Sequence, residues 1–464
     1  MLHLTDYFYV LNLWNLSIYF LFILCCEVIG FTISKLVFKE IPSYLRGALW
    51  FLGLGLIVFL YFLTHFFLPF SYPTLLYVLP ILVIPSIYVY IQNKGWISLI
   101  DFLKHNYFPF VFVLLILPKI MILSSLPPYR WDEMAYHYIS PYTLYFEKVW
   151  NMGNGFYSNL PRLLETAFIG LFSLTKTYSV ARFLQFSIFI TSLLTAYSFL
   201  KKNCGYFVGI AFFLLALFHP ADLLSQSTWG YIDVGTISFV LIAFITFLGY
   251  VFSHNIDELI YSFAFWGLAV GTKYSALTQL LSISLILLIS FFINKISLKS
   301  YFKNVLIGLF LFIILGGYWY IKNLIHTGNP VYPFIFGCRL NSCSSVSLSY
   351  TIPFTLVNFS KIWLIIFPNI FYQVIFLLSI PLILFGKLKK IKKILVVVLL
   401  FFVIELLLIK NISGFEDRYF YHWQLLSVFV ISLALSNFEE NKIYKLLSSF
   451  INRDKKHAYK KLSK

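Results

Sequence analysis

The sequence predicts an all-α polytopic membrane protein of about 13 transmembrane helices, with amphipathic juxtamembrane helices in an external loop at 126–177. Three observations carry that expectation. The 464 residues are 60% hydrophobic and only 11% charged, with mean hydropathy +0.85. Apolar runs of about 20 residues recur along the chain, each long enough to cross the hydrocarbon core as a helix. Lys and Arg collect in short segments between those runs. A soluble core is excluded because too few polar residues remain to cover so many continuous apolar runs. A β-barrel is excluded because its strands alternate apolar with polar residues, and these runs do not.

Taken in order, the expected spans are 8–33, 46–65, 73–92, 107–125, 178–200, 205–219, 233–252, 259–271, 275–294, 304–321, 364–386, 393–409 and 419–436. The first lacks a basic leader and a small-residue cleavage site, so it reads as a retained span. Three units follow. Residues 1–106 are extra N-terminal transmembrane helices, 107–436 a transmembrane core, and 437–464 a basic cytoplasmic tail. The positive-inside rule orients the chain. With the C-terminus inside, the cytoplasmic segments hold 23 of the 35 Lys and Arg, including Lys387, Lys389, Lys390, Lys392, Lys393 and the tail 442–464. The N-terminus is then outside. A prokaryotic cell (inner) membrane is the expected location.

The net charge of +17 does not point to nucleic acid, because no basic patch is interleaved with a nucleic-acid-binding fold. The lysine run and the tail read as anchors on anionic membrane lipid. Of the five cysteines, Cys25, Cys26 and Cys204 lie in or beside spans. Cys338 and Cys343 share one external loop, where a disulfide and two free thiols both remain open.

Segment 126–177 is too long for a hairpin and too mixed for a span. Its 138–150 stretch reads as an interfacial amphipathic helix. Residues 162–175, headed by Pro161 and Arg162, form a second short apolar helix, re-entrant or juxtamembrane.

The orientation brings most conspicuous polar motifs to the external side. Arg130-Trp131-Asp132-Glu133-Met134-Ala135-Tyr136-His137-Tyr138 follows an apolar span directly. Adjacent carboxylates cannot face the same way on a helix, so one of Asp132 and Glu133 can act while the other orients a partner. A carboxylate at a lipid–water boundary can serve as general base, and an ion pair with Arg130 is the alternative. His137 adds a donor one turn away. Asp233 opens a span, where the helix dipole alone would favour an acid. Asp222 has the same helix-cap explanation. Lys273, in Gly271-Thr272-Lys273-Tyr274, interrupts a long apolar stretch and needs a carboxylate or a phosphate, unless it snorkels to the surface. Lys322 and His326 precede the rigid turn Thr327-Gly328-Asn329-Pro330-Val331-Tyr332-Pro333. Arg418 stands at a helix N-terminus, which is unfavourable without Glu416, Asp417 or a bound anion beside it.

At these motifs the chain resembles the integral-membrane glycosyltransferases of the C superfamily, especially the prokaryotic relatives of protein mannosyltransferases and aminoarabinose transferases. The resemblance runs over about 107–436. It rests on Asp132 with Tyr136, His137 and Pro141, then Tyr231-Ile232-Asp233, Gly271-Thr272-Lys273-Tyr274, Lys322-Asn323 with the proline turn, and Arg418-Tyr419. Three spans precede the one leading into Asp132, where the family usually starts, and a basic tail stands where a soluble domain would follow.

The resemblance implies a polyprenyl-phosphate sugar donor and an acid in the first external loop, which maps onto Asp132 with Glu133 second. The expected activity is transfer of a hexosyl or pentosyl group at the extracytoplasmic face to a glycan, lipid or protein acceptor. His137, Asp233, Lys273, Lys322 and Arg418 are the expected substrate-binding residues. No cofactor is assigned as certain and no metal ligand is assigned; a divalent cation is compatible with the chemistry. The rival readings are a transporter or flippase of lipid-linked saccharide, and an O-antigen polymerase or ligase. The first would place acids near mid-membrane, where only Glu27 and Glu405 qualify. The second would be expected to use paired arginines in large external loops.

Overall fold

The helices of this chain are apolar on nearly every face, so each must be covered by other helices or by lipid. The computed structural model describes residues 12–128, 130–138, 146, 148–149, 159–293, 298–332, 352–353, 356–386, 388–408, 411–412 and 420–436. Arg418 with Glu416 and Asp417, Cys338 and Cys343, Pro141 and Pro333, most of 138–150 and the tail 437–464 lie outside the described residues.

The chain opens with α1 (Leu13–Val37), capped by Asn12, whose side chain accepts from the Asn15 N–H at 2.8 Å. A tight turn at Ser43–Ala48 leads into α2 (Trp50–Thr64), followed by α3 (Leu75–Gln92), α4 (Gly95–His105) and α5 (Tyr107–Ser125). Next come α6 (Leu163–Thr175), α7 (Ser179–Asn203), α8 (Tyr206–Leu217), α9 (Asp233–Ser253), α10 (Ile256–Thr272) and α11 (Ala276–Ile293). α12 (Leu298–Phe312) continues through a widened turn at Ile313–Gly317 into α13 (Tyr318–Thr327). The described chain ends with α14 (Leu356–Ile366), α15 (Ile370–Phe385), α16 (Lys389–Leu408) and α17 (Tyr421–Ala434). One antiparallel bridge pairs Ile352–Pro353 with Asn411–Ile412.

Every expected span overlaps a helix, but length and apolarity alone do not establish thirteen crossings. Among the described residues seven helices are long and apolar enough to cross a membrane, and eight if the bent pair Ser360–Ile366 and Ile370–Phe385 is one span. That pair turns by 92° at its break. Pro368 and Asn369 account for the break: proline disfavours helix at the residue before it, and Asn369 caps the next helix by accepting from the Tyr372 N–H at 2.9 Å. α8 and α17 rise only about 18–21 Å, less than a hydrocarbon core. α4 was expected as a charged loop and is a helix.

Burial sorts the helices. α9 is central, with 94% of its most apolar stretch buried, while α5 is peripheral at 17%. The outer helices expose Ile81, Leu115, Phe371 and Leu407, an apolar surface that fits lipid rather than water. The helices before residue 107 pack into the same bundle: the Tyr19 hydroxyl donates to Ser187 at 2.6 Å and the Phe51 ring meets Phe239 and Phe265 edge-on. The α1–α2 connection is pinned to α10, where Asp257 accepts the Lys39 and Glu40 N–H groups and Glu258 accepts the Tyr44 hydroxyl.

The two acids buried deep in spans are partnered. Glu27 pairs with Arg46 at 2.5 Å. Glu405 accepts from the Trp423 indole at 2.6 Å and lies 2.9 Å from His422. α6, only about 20 Å long, is enclosed by protein on nearly all sides.

Candidate functional site

Pro127 and Pro128 stop α5 from continuing past Ser125, and the chain turns into a short widened helical turn at Glu133–Tyr138. This turn holds the two carboxylates apart. Glu133 is fully buried. Its Oε1 accepts from Arg182 Nε at 2.7 Å, from the same guanidinium's Nη2, and from the Gly230 N–H at 2.9 Å. Arg182 also donates to the Leu126 carbonyl, where α5 ends. Arg182 sits in the first turn of α7, where the helix dipole disfavours a cation, so Glu133 is the charge that makes it tolerable. Glu133 is therefore a clamp joining three elements. Asp132, beside it and 7% exposed, is carried at the edge of that clamp.

His137 lies one turn on. Its Nδ1 is 3.1 Å from Glu165 Oε1, and Glu165 occupies the first turn of α6, where a negative charge is favoured. The His137 ring lies 5.8 Å from the Tyr231 ring, and the Arg130 guanidinium sits 4.0 Å over Trp229. Gln185 fixes the same 229–231 loop from below by donating to the Trp229 and Tyr231 carbonyls.

Two residues further, Asp233 opens α9 and its Oδ1 lies 2.5 Å from Lys273 Nζ. The pairing gives Lys273 a protein carboxylate as partner. Asp233 is 4% exposed and Lys273 25%, so the pair is open on the lysine side. Lys273 ends α10 in an extended conformation, at the level where α10 meets the α12–α13 turn. That meeting requires glycine. A Cβ on Gly316 would lie 2.0 Å from the Gly267 carbonyl oxygen and 3.0 Å from Gly271 Cα.

Tyr274 continues the chain of contacts. Its hydroxyl accepts from Asn323 Nδ2 at 2.8 Å and donates toward the Tyr332 carbonyl at 3.1 Å. Burial pushes its phenol up, so it stays protonated and serves as a donor. Asn323 also donates to the Asn159 carbonyl at 2.7 Å, and the Lys322 ammonium donates to Asn159 Oδ1 at 2.6 Å. Lys322 is 3% exposed, and among the described residues no carboxylate pairs with it. Arg162, likewise buried, adds a second positive charge to this region.

Glu133, His137, Asp233, Lys273 and Lys322 are thus linked through the 229–231 loop, the Asp233–Lys273 pair and the Tyr274–Asn323 bond, with Asp132 next to Glu133 in the chain. Arg418 lies outside the described residues, so its place in the cluster is open. Asp222 caps the one-turn helix Leu223–Gln226 and is exposed, as its sequence context suggests. Sequence reasoning missed Arg182, Glu165 and Asn159 as partners, and gave Arg162 no role beyond heading its helix. A signal existed for three of them: an ionisable residue inside an apolar stretch needs a partner or a task. Asn159 carried no such signal. Among the described residues no group of three or more His, Cys, Asp and Glu side chains is placed to hold a metal ion. Comparison with known protein families, curated proteins and solved structures returns no match.

Proposed function

We propose that the chain is a membrane glycosyltransferase that moves a sugar from a polyprenyl-phosphate donor to an acceptor at the extracytoplasmic face. The observation that carries the proposal is the arrangement around Lys322. A buried Lys322 ammonium with no carboxylate paired to it among the described residues is costly unless an anion joins it. Lys273 presents a further cation, partly open, on the same run of contacts. A lipid phosphate supplies the missing charge.

In this reading Asp132 takes the proton from the acceptor hydroxyl. The acceptor oxygen forms a bond to the anomeric carbon as the bond from that carbon to the phosphate oxygen breaks. The electron pair leaves with the polyprenyl phosphate, whose negative charge rises. Lys273, Lys322 and Arg418 stabilise that charge in the transition state. A single displacement inverts the anomeric centre. Asp233 accepts one N–H of Lys273 and holds its ammonium in place. Glu133 and Arg182 position the Asp132 segment, and Glu165 orients His137.

The chain crosses the membrane about 13 times in this reading, with the short apolar helices completing crossings. The N-terminus is outside and the C-terminus cytoplasmic, in a prokaryotic cell membrane. Glu27 and Glu405 are tied up in pairs, which supports structural roles and disfavours a transporter. The test is consumption of donor. Purified protein in lipid is given a panel of polyprenyl-phosphate sugars with an acceptor mixture, with and without chelator. Release of polyprenyl phosphate from one of them supports the reading; no release from any, by folded protein, overturns it.

A further inference from the structure

At the other end of the bundle lies a cavity of about 670 Å³, bounded by the ends of α1, α3 and α7, the turn before α2, and α4. Its volume is that of a small-molecule site. Lys35, Lys201 and Lys202 line it, and among the described residues none of the three has a carboxylate partner. Arg46 forms its floor but is already neutralised by Glu27 and held by Ser98 and the Gly95 carbonyl. Lys201 donates to the His105 carbonyl, which fixes its ammonium at the rim. Asp101 is the one acid among the lining residues. Helix C-termini explain why lysines are tolerated on α1 and α7. They do not explain why the lysines converge on a single cavity that also carries the Ser43, Ser98 and Asn93 side chains.

We propose that this cavity binds a phosphate-bearing anion at the membrane surface opposite the Asp132 cluster. The two sites are distinct. Arg182, which clamps Glu133, and Lys201 stand on the same straight helix, about 28 Å apart at 1.5 Å per residue. One headgroup cannot reach both. The proposal is therefore independent of the glycosyl-transfer reading and survives its failure. The shared chemistry is a phosphate ester, carried on a lipid or on a soluble molecule.

The experiment uses the full chain in mild detergent and native mass spectrometry. One arm titrates phosphatidylglycerol against phosphatidylcholine; the other titrates glycerol phosphate. Saturable binding of phosphatidylglycerol alone assigns a lipid headgroup, and binding of both probes assigns a soluble phosphate ester as sufficient; each supports the proposal. Lys35 and Lys202 are exposed, so Lys35→Gln/Lys202→Gln removes charge at small structural cost. It should weaken binding by about tenfold or more. Lys119→Gln/Lys303→Gln removes the same charge from exposed positions outside the cavity and should leave binding unchanged. Asp101→Asn removes the opposing charge and should tighten binding about fivefold, which keeps the test decisive if the lysine pair fails to fold. Saturable binding of neither probe, equal loss in both lysine pairs, or an Asp101→Asn variant that binds no tighter would overturn the proposal.

Discussion

Replacing Glu133 by Gln keeps the shape of the clamp and removes its charge. The consequence follows from the geometry. Arg182 is 3% exposed on its side chain and Glu133 is fully buried, so solvent screens the pair little. The carboxylate oxygen also accepts the Gly230 N–H. Breaking a buried pair by removing one partner costs about 3–5 kcal/mol, because the other charge is left uncompensated. A glutamine carbonyl keeps part of the hydrogen bonding, so about 3 kcal/mol is expected. Thermal unfolding in nanodiscs should show Tm lowered by about 3 °C. Glu133→Met/Arg182→Met should recover most of that loss, since an apolar pair of similar volume carries no desolvation penalty. Turnover by Glu133→Gln should fall less than turnover by Asp132→Asn. A Glu133→Gln protein with unchanged Tm and no turnover would refute this reasoning and make Glu133 the base.

Three further outcomes are expected. Lys273→Met should lower kcat/KM by about 10²-fold or more at saturating acceptor, while Asp233→Asn, which keeps the ammonium, should lower it less; equal and small effects would mean the pair is only structural. Gly316→Ala should destabilise the protein by about 3 kcal/mol, measured by Tm, because the new methyl meets the backbone of Gly267; an unchanged Tm would mean the α10 contact is looser than the structure has it. Single cysteines within 126–177 and 322–363 should label from outside and one at 390 from inside, in a background without other reactive thiols. Labelling at 390 from outside would overturn the orientation and the shared active face.

The helices were legible because apolar runs leave little choice: the span expected at 107–125 coincides with α5, and 233–252 with α9 to within a residue. α4 was missed because its Asp101, Lys104 and His105 read as loop charge, although they mark one face of an amphipathic helix. The bend at 366–370 carried its own signal in Pro368 and Asn369, which the continuous apolarity on either side obscured. The site residues were legible as ionisable groups where few are tolerated. Their partners were not, since Arg182 lies 49 residues from Glu133 and Asn159 lies 163 from Lys322. Such pairings depend on how the helices assemble, which periodicity does not encode. The resemblance already put Asp132 first and Glu133 second; the assembly adds Arg182 and the Gly230 N–H as the partners that hold Glu133.

The most direct test of the account is Asp132→Asn, assayed for release of polyprenyl phosphate from a sugar donor that the unaltered protein consumes. Asparagine keeps the shape of the side chain and removes the base. The account predicts that insertion, Tm and donor binding persist while turnover falls by about 10²–10⁴-fold, to the edge of detection. Turnover near that of the unaltered protein would contradict it.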